Sequence, residues 1–253
     1  MTPHGARIGV LATSDGILAG RFVEALLAAG CHIDAMLLDA KPTSVRDIAI
    51  HADRTGDALL PIPLHTFEAR AIPAYLVSSH NAAACIALVR RLELDWLVNA
   101  GTPRLLSAEA LAAPRGGILN CHPGLLPAFR GASAVEWAIY LNEPIGNTVH
   151  LMSPVVDEGP ILMQRAIEVA TGASYRDVRI ATYTHGFALM AEAVHAVQAG
   201  VRTLADFKAQ GRGRTFRPID PSRLAAAKRR LAEGRYDGKM PLGETRVPEP
   251  EAT

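Results

Sequence analysis

Between Arg7 and Val169, short apolar runs alternate with segments whose apolar residues recur at helical spacing, and few architectures accept that alternation. Residues 8–12 and 33–38 read as buried strands, and residues 17–29 between them read as a helix ending at Gly30. The pattern continues with a loop-rich stretch over 42–73, a short strand at 75–77, a helix over 81–92 that Ser79 could cap, and a strand at 96–100. A strand then ends in Asn120 and His122, residues 132–141 read as a helix, and 148–152 and 161–169 read as strands. Ser174-Tyr175-Arg176-Asp177 has capping-box spacing and opens a long helix to about Gln198. Short buried strands separated by amphipathic helices predict an open, mostly parallel, doubly wound α/β sheet, with ligands outside the carboxyl ends of its strands.

The organisation expected is an α/β catalytic domain over 1–200, a helical extension over 201–236 and a disordered tail over 237–253 that is rich in Pro, Glu and Gly. Within the extension, residues 203–206 and the Asp220-Pro221 pair before Leu224 mark two short helices. A chain that is 49% hydrophobic and 20% charged is an ordinary globular one, and a net charge of +1 advertises no stable nucleic-acid partner. Cys31, Cys85 and Cys121 are odd in number and lack a CxxC pair, which suits a reducing compartment. The N-terminus has no convincing signal peptide and no membrane span is visible, so the cytoplasm is the expected location.

Chemistry concentrates in Asn120-Cys121-His122-Pro123-Gly124-Leu125-Leu126-Pro127, with Thr148-Val149-His150 and Asp157-Glu158-Gly159-Pro160 further on. On a strand, Asn120 and His122 leave the same face and Cys121 the other. Pro123 and Gly124 stop the strand and leave the pair at a rim. A carbonyl moving between two nitrogens needs a donor for the oxyanion and a group that carries a proton from the attacking to the leaving nitrogen. Asn120 supplies an amide N–H, His122 an imidazole that titrates near neutrality, and Asp157 a carboxylate that would orient and charge the imidazole.

With Ala100-Gly101-Thr102-Pro103-Arg104-Leu105-Leu106-Ser107 and Arg130-Gly131-Ala132 added, the chain resembles the 10-formyltetrahydrofolate-dependent formyltransferase family from about Arg7 to about Val169. That resemblance implies a catalytic set of Asn120, His122 and Asp157 on the formyltransferase fold. It also implies 10-formyltetrahydrofolate as co-substrate, with the pterin between two loops. Thr102, Pro103, Arg104, Leu105 and Leu106 form one loop, Ser153 and Val156 belong to the other, and the contacts are largely through backbone. His150 matches a position beside the site and takes a supporting role. The implied reaction is attack of a neutral amine on the formyl carbon, with Asn120 and protonated His122 on the oxyanion and Asp157 aiding proton transfer.

Other members carry features this chain departs from. Glycinamide ribonucleotide formyltransferases bind phosphate on a Gly-rich loop after the first strand, where this chain reads Ala12-Thr13-Ser14-Asp15-Gly16; Asp15 would repel a phosphate, and Ser14 or Asp15 reads better as a helix N-cap. Methionyl-tRNA formyltransferases add a β-barrel, whereas this chain continues with helical signals. The expected acceptor is therefore a small-molecule amine: an amino sugar, an amino acid or a biosynthetic intermediate. The basic residues from Arg202 to Arg235 allow a carrier-bound or phosphorylated acceptor, although a solvated face is the plainer reading. A homodimer is compatible with the sequence. Hydrolysis of the donor by a deformylase and a folate-binding module without turnover are the alternatives. His185 with His122, His150 and Asp157 lacks metal-site spacing, so no metal is expected.

Overall fold

A computed structural model describes residues 5–238. Its principal sheet has seven strands in the order β3-β2-β1-β4-β5-β7-β8. These are β1 (Ile8–Thr13), β2 (Ala35–Asp39), β3 (Ala74–Val77), β4 (Trp96–Asn99), β5 (Gly117–His122), β7 (Ile145–Leu151) and β8 (Ile161–Ile167). The strands from β3 to β5 run parallel, while β7 and β8 are antiparallel. A two-residue strand β6 (Arg130–Gly131) pairs instead with β9 (Thr215–Phe216) in a separate ribbon. The helices are α1 (Ala19–Ala28), α2 (Val45–Thr55), α3 (Ala83–Arg91), α4 (Ala108–Leu111), α5 (Ala134–Leu141), α6 (Tyr175–Gln198) and α7 (Pro221–Ala232).

The sheet is covered on both faces, which is why its strands read as unbroken apolar runs. On one face, Ile8, Val10, Val98, Leu119 and Val149 pack against Phe22 and Val23 of α1 and Phe187, Met190 and Val194 of α6. On the other, Leu11, Leu37, Leu97 and Ile118 pack against Cys85, Leu88 and Val89 of α3. A third cluster joins α5 and α7 through Ile139, Ala227 and Leu231. Glu136 on α5 is buried with Arg54 of α2 and Arg179 and Tyr175 of α6, and so ties three helices together.

Several local expectations are corrected. The stretch 42–73 holds α2 and two 3-10 turns, Gly56–Leu59 and Leu64–Arg70; Ser44 caps α2 by accepting the Asp47 N–H. Neither Ser14 nor Asp15 caps α1, whose N-cap is Leu18 without a side-chain bond; Asp15 instead accepts from the Thr43 N–H and hydroxyl. Ser79 does not cap α3 and accepts the N–H of Asn81. The 203–206 segment is one 3-10 turn. Apart from Asp237 and Gly238, the tail expected to be disordered lies outside the described residues. Among the described residues no helix is long and apolar enough to cross a membrane.

Candidate active site

Residues 118, 120 and 122 alternate toward the α3 face, since Ile118 packs in that layer and Leu119 and Cys121 face α6. Antiparallel pairing sets Asn120 opposite His150 and His122 opposite Thr148, so both histidines and the asparagine share one face at the end of β5. Asp157 arrives from the loop between β7 and β8 in the left-handed region, φ 57°.

The polar groups interlock. Asn99, at the end of β4, donates to Asn120 Oδ1 (2.9 Å), and its own Oδ1 accepts the N–H groups of Gly101 and Thr102 (3.1 and 2.8 Å). Asn120 Nδ2 lies 3.1 Å from His150 Nε2. Because His150 Nδ1 lies 2.8 Å from the Leu151 carbonyl, it must carry the proton, and Nε2 accepts from Asn120 when the ring is neutral. His122 Nε2 likewise gives its hydrogen to the Phe129 carbonyl (2.6 Å), which turns Nδ1 toward Asp157 Oδ2 (3.3 Å). The Gly131 N–H donates to that same Oδ2 (2.8 Å), and Asp157 Oδ1 lies 3.6 Å from His150 Nε2.

Burial lowers the His122 imidazole from its ordinary value, against the pull of Asp157 and the Phe129 carbonyl. Burial pushes the Asp157 carboxyl up, but His150, His122 and the Gly131 N–H outweigh it and hold the group below the usual carboxylate range. The resting pair is thus an ionised carboxylate beside a neutral imidazole, and a proton entering the site has Nδ1 and Oδ2 to sit between.

A cavity of about 160 Å³ opens here, walled by Leu105, Leu106, Leu111, Met152, Pro154 and Val156, with Asn99, Asn120, His150, Ser153 and Asp157 as its polar groups. His122, 4% exposed, is not among them: both its nitrogens are committed, and it meets the cavity through Asp157. The loop after β4 is held by side chains that sequence reading missed. Arg104 is tied bidentately to Asp39 (2.6 and 2.8 Å), whose carboxyl burial would raise but which Arg104 and the N–H groups of Lys41 and His80 pull to about 2. His80 Nδ1 meets the Thr102 hydroxyl (2.7 Å), and Asn81 holds the Leu105 carbonyl and the Ser107 N–H. Arg104 is therefore a strut of the loop. Leu105 is 81% exposed at the rim, and Ser153 Oγ bonds back to the Val155 carbonyl. His185 lies on α6 beneath the opposite face, bonded to Asn147.

A second cavity of about 270 Å³ sits outside the ends of β1 and β4, where the strand order reverses. Thr13, Lys41, Thr43, Ser44 and Asp47 supply its polar groups, Gly16, Ile17, Leu18 and Pro42 lie between them, and Ala100 to Pro103 complete the lining. Asp15, fastened to Thr43, stands beside it and stays ionised: burial raises its carboxyl, and the Thr43 N–H and hydroxyl bring it below its ordinary value. Among the basic residues of the C-terminal segment, Arg214 pairs with Glu143, Arg223 with Asp220 and Lys228 with Asp53.

Known proteins share both the sequence and the fold. A methionyl-tRNA formyltransferase of Caulobacter vibrioides is 36% identical over 127 residues, 48% of this chain and 41% of that protein. The chain spans about half the length of the curated relatives it matches. Glycinamide ribonucleotide transformylase 1 from Symbiobacterium toebii superposes with a TM-score of 0.60 at 24% identity, covering 87% of this chain and 96% of that one. An N-formyltransferase from Helicobacter canadensis, solved with folinic acid and dTDP-3-aminofucose, superposes with a TM-score of 0.60 at 14% identity over 90% of this chain and 80% of that one. The formyl transferase model matches residues 7–194, a span that contains the seven-stranded sheet, both cavities and the Asn120, His122 and Asp157 cluster, so the chain belongs to the formyl transferase family.

Proposed function

We propose that the chain transfers a formyl group from 10-formyltetrahydrofolate to the amine of a small, hydroxylated, unphosphorylated acceptor. The observation that carries this reading is that Asn120, with one amide N–H uncommitted, and Asp157, an ionised carboxylate, face the same cavity at the end of β5. Apolar walls at Leu105, Leu106, Met152 and Val156 suit the pterin of the donor, and its N10-formyl group would lie toward Asn120.

The acceptor amine attacks the formyl carbon, a C–N bond forms, and the carbonyl oxygen becomes an alkoxide that the Asn120 N–H stabilises. Asp157 takes the proton that the attacking nitrogen loses and returns it to N10 as the C–N10 bond breaks. The products are a formamide and tetrahydrofolate. His122 acts on Asp157: its Nδ1, 3.3 Å from Oδ2, shares the proton in transit. His150 fixes the Asn120 amide from the opposite strand.

The acceptor fits the second cavity, whose Thr13, Thr43 and Ser44 hydroxyls, with Lys41 and Asp47, suit a polyhydroxylated amine. Asp15 stands beside that cavity and disfavours a phosphate. The test is tetrahydrofolate release from 10-formyltetrahydrofolate with a panel of amino sugars, amino acids, glycinamide ribonucleotide and methionyl-tRNA. Acceleration by an unphosphorylated amine supports the reading. Fast release that no amine accelerates would make the chain a hydrolase, and folate binding with no release would make it a binding module.

A further inference from the structure

The catalytic loop is fastened from beyond the family region. Asp157 is a non-glycine residue in the left-handed conformation, a strain that persists where its surroundings over-determine it. Its own carbonyl and that of Gly159 both accept from Gln210 Nε2, at 2.9 and 2.7 Å. Gln210 Oε1 in turn accepts from Arg130 Nε and Nη2, at 3.1 and 3.0 Å. Arg130 also reaches Glu158 (3.1 Å) and the Gly211 carbonyl (3.0 Å). Beside this knot, β9 pairs with β6, whose Gly131 N–H holds Asp157 Oδ2. Lys208 exchanges both backbone bonds with Ile161, just past the loop.

The chemistry of residue 210 is specific. A primary amide has two donors on one nitrogen and two acceptor sites on its oxygen, and here all four are used. A carboxylate would satisfy Arg130 and repel the two carbonyls, while a hydrocarbon would satisfy neither. Two carbonyls gathered on one nitrogen fix the backbone on both sides of Glu158 and so fix where the Asp157 side chain leaves it.

We propose that Gln210 is a positioning residue whose amide holds the Asp157 main chain in the conformation that aims its carboxylate between His122, His150 and the donor cavity. Residues 208–216, outside the 7–194 span of the family match, thereby become part of the working site. The inference rests on the reading of Asp157 as the proton-transfer group.

The test compares Gln210→Glu with Asp157→Asn in the full chain. It follows the pH titration of the His122 and His150 ring nitrogens by NMR, folinic acid binding and thermal unfolding. In Asp157→Asn the His122 midpoint falls, because the carboxylate that favours the imidazolium is gone. Gln210→Glu keeps the Arg130 contact as an ion pair and loses both donations to the loop, so its His122 midpoint falls in the same sense by a smaller amount. Folinic acid affinity stays within about threefold of the native protein, and turnover drops about tenfold through kcat rather than KM. Gln210→Met carries the same comparison if the glutamate variant fails to fold. Unchanged histidine titrations in the Gln210 variants, with a fall in Asp157→Asn, would overturn the positioning role. Unchanged titrations in Asp157→Asn itself would instead overturn the reading of Asp157, and this inference with it.

Discussion

Replacing Asn99 separates the stability of the donor loop from the aim of the Asn120 amide. The Asn99 side chain makes three bonds: it accepts the Gly101 and Thr102 N–H groups and donates to Asn120 Oδ1. Asn99→Leu removes all three. Gly101 is exposed, so water replaces that bond; Thr102 is half-buried and Asn120 is part of a network, so each of those bonds costs about 1 kcal/mol. The expected loss of stability is about 2 kcal/mol. Asn99→Asp behaves differently, because its carboxylate still accepts both loop N–H groups but repels Asn120 Oδ1. The Asn120 amide then turns its NH₂ toward the introduced carboxylate and away from His150 and the cavity, which forfeits part of the roughly 2.7 to 4 kcal/mol that one oxyanion donor supplies. The aspartate variant is expected to unfold in urea within about 1 kcal/mol of the native protein, yet to lose about ten- to a hundredfold in kcat. Tetrahydrofolate release, measured with the acceptor that emerges from the amine panel, reads the second effect. An Asn99→Asp protein with kcat within twofold of native would refute the claim that Asn99 aims Asn120.

Other expectations follow from the same contacts. Glu136→Gln leaves the Arg54 and Arg179 guanidinium groups without their carboxylate in a buried setting and should cost about 3 to 5 kcal/mol in a urea titration; a loss below about 1 kcal/mol would show that the knot binds nothing together. Burial lowers His80, His122 and His185 from the ordinary 6.5, so the folded chain binds fewer protons than the unfolded one. Stability is therefore complete above about pH 6.5 and declines as the pH falls below it, which calorimetry between pH 7.5 and 5.5 would read as a falling Tm and a flat profile would contradict. Burial pushes Cys31 and Cys85 up to about 11 and Cys121 up to about 12, so disulfide reagents should label these thiols at the rate of unfolding; rapid labelling of the native protein would contradict that.

The parts legible in the sequence are those that local periodicity encodes. β1, β2, β4 and β5 are buried runs, and α6 carries its capping box at Ser174 and Asp177 as the spacing promised. Helix α2 escaped notice although Val45, Ile48, Ala49 and Ala52 recur at helical spacing; that apolar stripe faces out, only His51 and Thr55 are buried, and the Ser44-to-Asp47 cap was a second signal available. Asp15 looked like a cap because it precedes a helix, but its partner is Thr43, 28 residues away. The site divides in the same way. Asn120, His122 and Asp157 stood out through their motif, whereas Asn99, Asp39, His80 and Gln210 make their long-range contacts with partners 21 to 80 residues distant, and no local pattern announces such contacts. His122 shows the limit within the motif itself. Its position was legible, but the Phe129 carbonyl that occupies Nε2 and sends the ring to the cavity through Asp157 was not.

The position of the formyl group of a bound folate tests most directly whether Asn120 and Asp157 carry the transfer. A crystal structure with folinic acid or a non-transferable 10-formyl analogue is expected to place the pterin against Leu105, Leu106, Met152 and Val156. The 10-formyl oxygen of the analogue is expected at about 3 Å from Asn120 Nδ2, with the Asp157 carboxylate facing the formyl group. A pterin seated elsewhere, or a 10-formyl group turned away from both Asn120 and Asp157, would contradict it.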